Sequence, residues 1–160
     1  LETDMFYRGI RPALNVGLSV SRVGSSAQTK AMKKVAGKLR LDLAQFRELE
    51  AFAQFATDLD EGTRQQIERG RRAVEVTKQL QYSPMSVEQQ VAVLYAVTNG
   101  MIDEIEQEKV QEWEGKFHEY METSGAKLLE ALKETGKLEE DTEKLLKKLI
   151  EDFNGQFTQA

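Results

Sequence analysis

"TKAMKKVAGKLRLDLAQFRELEAFA", residues 29–53, decides the architecture. In it Met32, Val35, Ala36, Leu39, Leu43, Phe46, Leu49 and Ala53 recur three or four residues apart. That spacing lays one apolar stripe along a helix. It predicts a single long helix over roughly 27–54, with Gly37 as its weak point.

Toward the C-terminus the same reading repeats. "TDLDEGT" (57–63) breaks the pattern and offers Asp58 and Asp60 as N-caps. A second helix is expected from there to about Leu80. "QYSPMSVEQ" (81–89) holds a turn and a capping box, Ser86 with Gln89. Val87, Val91, Leu94 and Tyr95 make the next stripe, and Asn99-Gly100 reads as its C-terminal cap. Val110, Trp113, Phe117 and Tyr120 mark another stripe, as do Leu128, Leu129 and Leu132. Leu145, Leu146, Leu149, Ile150 and Phe153 mark the last. Gly125, Thr135-Gly136 and Asn154-Gly155 punctuate them. The fold class expected is mainly α, a helical bundle over 27–160.

Residues 1–26 differ. Leu14, Val16, Leu18 and Val20 alternate with small polar residues, a period of two, and Arg22 closes that register. Gly17 and the serines weaken any strand, so an extended segment is expected. Lacking sheet partners, it should be loosely held. The opening "LETDMFYRGI" carries no Met at its first position and begins mid-pattern, which leads us to expect a piece of a longer chain.

Composition excludes several classes. Of 160 residues, 40% are hydrophobic, enough for a core. No run of ~18 apolar residues offers a membrane span. There is no Cys, hence no disulfide or thiolate metal site. Net charge is −5 but uneven: +6 over 1–40, −3 over 41–100 and −8 over 101–160. Lys30, Lys34 and Lys38 fall on one side of the long helix. They suit either a solvated or interface stripe, or a free-standing interaction module that binds an anionic partner. No aromatic is interleaved and the chain is acidic, so nucleic acid is not an expected partner. The stretch from Asp58 has Thr63 and Arg69 where a calcium loop needs Gly and Glu. His118 is the only histidine, so with no Cys a metal site is not expected; it lies in the acidic, late part beside no candidate nucleophile, which leaves no Ser-His-Asp triad, and it is placed on the polar side, next to Phe117. No G-x-x-x-x-G-K-[ST] loop is present to cradle phosphates. Arg22 stays notable: a planar five-donor cation among glycines and serines suits phosphate oxygens, though a surface pair with a carboxylate would look the same. Gln79 and Gln81 could read a base edge or merely end a helix.

"GIRPALNVGLSVSRVGSSAQTKAMKKVAGKLRLDLAQFRELEAFAQFATDLD" (9–60) and "QYSPMSVEQQVAVLYAVTNG" (81–100) closely resemble the alpha-subunit family of the rotary, F-type, proton-translocating ATP synthases. The resemblance is dense to about Asp103 and looser over the acidic helices. It implies the C-terminal third or so of such a subunit. Residues 1–26 would then be the end of the α/β nucleotide-binding domain, and 27–160 the C-terminal bundle. In the family, three alpha and three beta subunits alternate around a rotating gamma shaft. ATP or ADP with Mg²⁺ is the cofactor of the full subunit, with none expected on this stretch alone. Catalytic sites lie at interfaces, mostly on beta. By resemblance to the family's "VSRVG", Arg22 is the arginine finger reaching in trans. The family's "IRP" and "Q-x-Q" touch the adenine of a non-catalytic nucleotide, implying Arg11, Pro12, Gln79 and Gln81. Here Leu80 stands where many relatives have a small residue. Asp58 and Asp60 match a loop facing the shaft. The implied setting is a peripheral membrane complex, on the cytoplasmic face of a bacterial plasma membrane, with no direct membrane insertion.

Overall fold

The computed structural model describes residues 1–16, 19, 21, 23–53 and 59–159. The long apolar stripe becomes α3, Lys30–Ala53, which buries Ala31, Met32, Val35, Leu39, Leu43 and Phe46. It packs along α4 (Glu61–Val76) and α5 (Val87–Thr98). Helices α6 (Val110–Thr123), α7 (Ala126–Thr135) and α8 (Glu140–Phe157) complete the bundle. Among the described residues there is no strand. Two short helices, α1 (Thr3–Tyr7) and α2 (Gly24–Ala27), interrupt the first 26 residues, where extended chain was expected.

α5 is the central element, and its composition shows why. From Val91 to Val97 every residue but Leu94 is buried, so the helix is covered on nearly every side. It touches α3, α4, α6, α7 and α8. Ala92 and Ala96 allow close approach, and buried Thr98 satisfies its hydroxyl by donating to the Leu94 carbonyl at 2.8 Å. Ser86 and Gln89 form the capping box that starts it. Gly100 follows in the left-handed region at φ 70°.

Aromatic packing ties the acidic end together. Trp113 and Phe117 are fully buried and stacked, with centroids 4.8 Å apart. Phe153 of α8 meets Phe117 at 5.4 Å and Trp113 at 5.9 Å. Truncating a buried Trp or Phe of this kind costs about 3–5 kcal/mol. Asn154 clips the cluster: Trp113 Nε1 donates to its Oδ1 at 2.8 Å, and its Nδ2 donates to the Met101 carbonyl at 2.6 Å. The expected break at Asn154-Gly155 is therefore absent. Asn154 is a tertiary connector inside α8, which continues to Phe157.

Other expectations shift as well. α4 stops at Val76, not near Leu80: the Lys78 N–H turns to the Glu75 carbonyl at 3.1 Å instead of that of Val74, and the Gln79 N–H then donates to the Arg11 carbonyl at 2.8 Å. Val87 and Leu145 are 43% and 44% exposed, at the edges of their stripes rather than inside them. His118 is not on the polar side. Its side chain is 17% exposed, with Nε2 3.6 Å from Glu114 Oε1. Gly136 ends α7 in the left-handed region, and its carbonyl accepts from the Ala31 N–H at 2.9 Å, joining that turn to the start of α3.

One polar chain crosses three helices. Lys34 of α3 pairs with Glu143 of α8, which also accepts from the Tyr95 hydroxyl of α5 at 3.1 Å. Lys34 holds the Glu143 carboxyl below the ordinary glutamate range, with help from Tyr95. Burial, then the Glu143 carboxylate, pushes the Tyr95 phenol up to about 12.

Two expected outcomes follow from this packing. A Cβ at Gly70 would overlap the Phe46 ring of α3. Gly70→Ala should therefore cost about 1–3 kcal/mol by urea melting, despite adding a better helix former; an unchanged midpoint would contradict the close approach. Because the folded-state pKa of Tyr95 is raised, its contribution is complete below the unfolded value of 10.0 and is lost as pH rises toward about 12. Tyr95→Phe should thus cost about 1 kcal/mol near pH 8 and visibly less near pH 11. A cost that does not shrink in alkali would contradict the burial assigned to that phenol.

Candidate functional site

The strap that follows α1 is shaped by its own turns. Gly9 takes φ 77°, which a side chain would strain, and lets Ile10 donate to the Met5 carbonyl at 2.9 Å. The strap then folds back: the Glu2 N–H donates to the Ala13 carbonyl at 2.9 Å, and Asn15 Nδ2 to Glu2 Oε1 at 2.7 Å. Arg47 of α3 donates to Asn15 Oδ1, tying the strap to the bundle. The segment expected to be loose is therefore anchored over residues 2–15.

The other wall is the connection from α4 to α5. Thr77 Oγ1 donates to the Val74 carbonyl at 2.8 Å and closes the last turn of α4. The Gln79 N–H then bonds Arg11, as above. Gln79 Nε2 donates to the Ser83 carbonyl at 2.6 Å across a tight turn in which Tyr82 takes φ 63°. Between strap and connection lies an open cleft of about 990 Å³, lined by Phe6, Arg11, Pro12, Gln79, Gln81 and Gln111 among others. The Arg11 guanidinium lies 4.4 Å from the Phe6 ring centroid, a cation–π contact that orients its plane. Leu80, 80% exposed, also borders the cleft.

Glu75, outside the cleft's lining, braces two residues of it, Lys78 and Gln111. Its carboxylate accepts from Lys78 Nζ at 2.7 and 2.8 Å and from Gln107 Nε2 at 3.2 Å. Its carbonyl accepts from Gln111 Nε2 at 2.9 Å. One residue thus joins the end of α4 to the start of α6.

Four of the residues singled out by sequence, Arg11, Pro12, Gln79 and Gln81, therefore line one cleft. Arg22 and Asp58 lie outside the described residues. Asp60 caps α4: Oδ1 accepts from the Thr63 N–H at 2.9 Å and Oδ2 from the Thr63 hydroxyl at 2.6 Å. The hydroxyl bond, then the backbone bond, lowers its carboxyl below the usual range. The lysine stripe is exposed but partly paired. Lys34 pairs with Glu143, and Lys38 Nζ donates to Asn99 Oδ1 at 3.1 Å. Two of the three cations that an anion-binding module would use are engaged by α8 and by the end of α5. Gln111 was missed by sequence reasoning: a lone glutamine in a polar helical turn carries no spacing signal.

Residues 28–153 match the family described as ATP synthase alpha/beta chain, C terminal domain. The chain belongs to that family. Among curated relatives, the ATP synthase subunit alpha of Helicobacter pylori (strain G27) is 53% identical over 153 residues, covering 96% of this chain and 30% of the relative. The ATP synthase subunit alpha of Sulfurovum sp. (strain NBC37-1) is 55% identical over 157 residues, covering 98% of this chain and 31% of the relative. The chain thus spans less than a third of the length of these relatives. The helical bundle is the part that the family description names. Among the described residues, no helix is long and apolar enough to cross a membrane.

Proposed function

We propose that this chain acts as the C-terminal portion of an ATP synthase alpha subunit, in an enzyme that makes ATP from ADP and phosphate using a proton gradient. Its cleft would hold the adenine of a nucleotide at a non-catalytic site. The observation that carries this reading is the convergence of Arg11, Pro12, Gln79 and Gln81 on one cleft. Arg11 and Pro12 come from the strap, and the two glutamines from a connection far along the chain. The chemistry suits a heteroaromatic base. Proline and the guanidinium plane over Phe6 offer flat surfaces, and the amides offer donors and acceptors to a base edge.

The phosphates would be held elsewhere, since this sequence has no phosphate-cradling loop. On its own the 160-residue chain should therefore hydrolyse no ATP. Arg22 would serve the neighbouring catalytic site, with magnesium, the P-loop lysine and the catalytic carboxylate on a beta subunit. A guanidinium supplied in trans stabilises charge on the transferring phosphoryl group, and lysine cannot reproduce its fork. Asp58 and Asp60 would lie in the loop facing the gamma shaft. The assembly of alternating alpha and beta subunits would be a peripheral membrane complex, on the cytoplasmic face of the plasma membrane.

The test is Arg22→Ala in a full-length alpha subunit assembled with beta. Nucleotide should still bind, while steady turnover falls by ~10³–10⁵, the scale of such fingers. Arg22→Lys should recover little. Turnover near that of the unmodified assembly would refute the finger.

A further inference from the structure

Two arginines of α3 hold the chain that leads toward Arg22. Arg40 and Arg47 are seven residues apart, two turns of helix, and so share a face. Arg47 donates to Asn15 Oδ1. The Asn15 carbonyl accepts from the Ser19 N–H at 2.9 Å, and the Ser19 carbonyl accepts from Arg40 Nη2 at 3.0 Å. Arg40 joins no ion pair among the described residues; that carbonyl is its partner. Further on, Ser21 Oγ accepts from the Gly24 N–H at 2.9 Å, at the start of α2. In sequence, Arg22 comes three residues after Ser19 and two before Gly24. The stretch 15–27 carries Gly17, Gly24 and four serines, a composition with little stiffness of its own. A cation that must meet a transferring phosphoryl group needs a fixed base, because misplacement by about 1 Å can cost ~10²-fold in rate. α3 supplies the fixed base.

We propose that Arg40 is a positioning residue for Arg22: by holding the Ser19 carbonyl against α3, it sets where the segment bearing the finger stands. The inference rests on reading Arg22 as a finger in trans. Arg40 acts through the backbone and touches no nucleotide. Its bond to the carbonyl uses one nitrogen, so a lysine ammonium can take its place. That separates it from Arg22, whose planar fork lysine cannot reproduce.

The experiment measures steady ATP hydrolysis by a full-length alpha subunit assembled with beta. Arg40→Met, which keeps an unbranched stem, should lower kcat by roughly 10- to 100-fold and leave KM for ATP within about twofold. Arg40→Lys should recover most of that loss. In the Arg22→Ala background, Arg40→Met should cost little more, since the group it positions is gone. A kcat within about twofold of the unmodified assembly would overturn the proposal. So would a raised KM together with a lowered thermal melt, which would mean that Arg40 only supports the fold. A full further loss in the Arg22→Ala background would overturn it too, because Arg40 would then act apart from the finger. Arg22→Ala alone separates these failures from a deeper one. If it collapses turnover while Arg40→Met does not, only the role of Arg40 falls. If it leaves turnover unchanged, the finger reading falls and takes this inference with it.

Discussion

The hydrogen bond from the Gln79 N–H to the Arg11 carbonyl is the constraint on which the cleft depends. It does two things at once. It carries the chain away from α4 once the Lys78 N–H has turned to the Glu75 carbonyl, and it fastens the strap after α1 to the far end of that helix. With it, Arg11 and Pro12 stand beside Gln79 and Gln81. The anchoring of Glu75 by Lys78, Gln107 and Gln111 then holds the end of α4 to the start of α6.

That local geometry needs a firm scaffold, and the bundle supplies one. α5 is buried on nearly all sides, and the aromatic cluster of Trp113, Phe117 and Phe153 fills the space between α6 and α8. Polar ties run along its surface. Arg69 grips Asp103 with Nε at 3.1 and 3.2 Å, and Arg72 Nε donates to the Ile105 carbonyl at 2.7 Å. Both hold the turn after α5 against α4, next to the start of α6. Most of the ion pairs are exposed and contribute little, about 0–1 kcal/mol each. Their value here is positional.

Much of this was legible in the sequence because it is local. The stripe of α3, the Ser86–Gln89 capping box, the Asp60 cap and the left-handed Gly100 and Gly136 each depend on residues a few positions apart. The failures are all tertiary. Asn154-Gly155 looks like a helix stop until the Asn154 amide is seen bridging Trp113 and Met101. The course of the chain after α4 is set at Gln79 by Arg11, from a distant part of the chain. Lys34 and Lys38 look like a free basic face until α8 and Asn99 approach them. For the candidate site, spacing alone left Gln79 and Gln81 ambiguous; the family resemblance named them, and the fold set them beside Arg11 and Pro12. Gln111 had neither signal, because its relevance comes only from the carbonyl it bonds.

The most direct measurement is the structure of the complete alpha subunit in its assembly with ATP bound. The account predicts a purine seated between Pro12 and the 79–81 connection, with the Gln79 or Gln81 amide within hydrogen-bond distance of the base edge. Finding this cleft filled by the subunit's own side chains, with every bound base elsewhere, would contradict it.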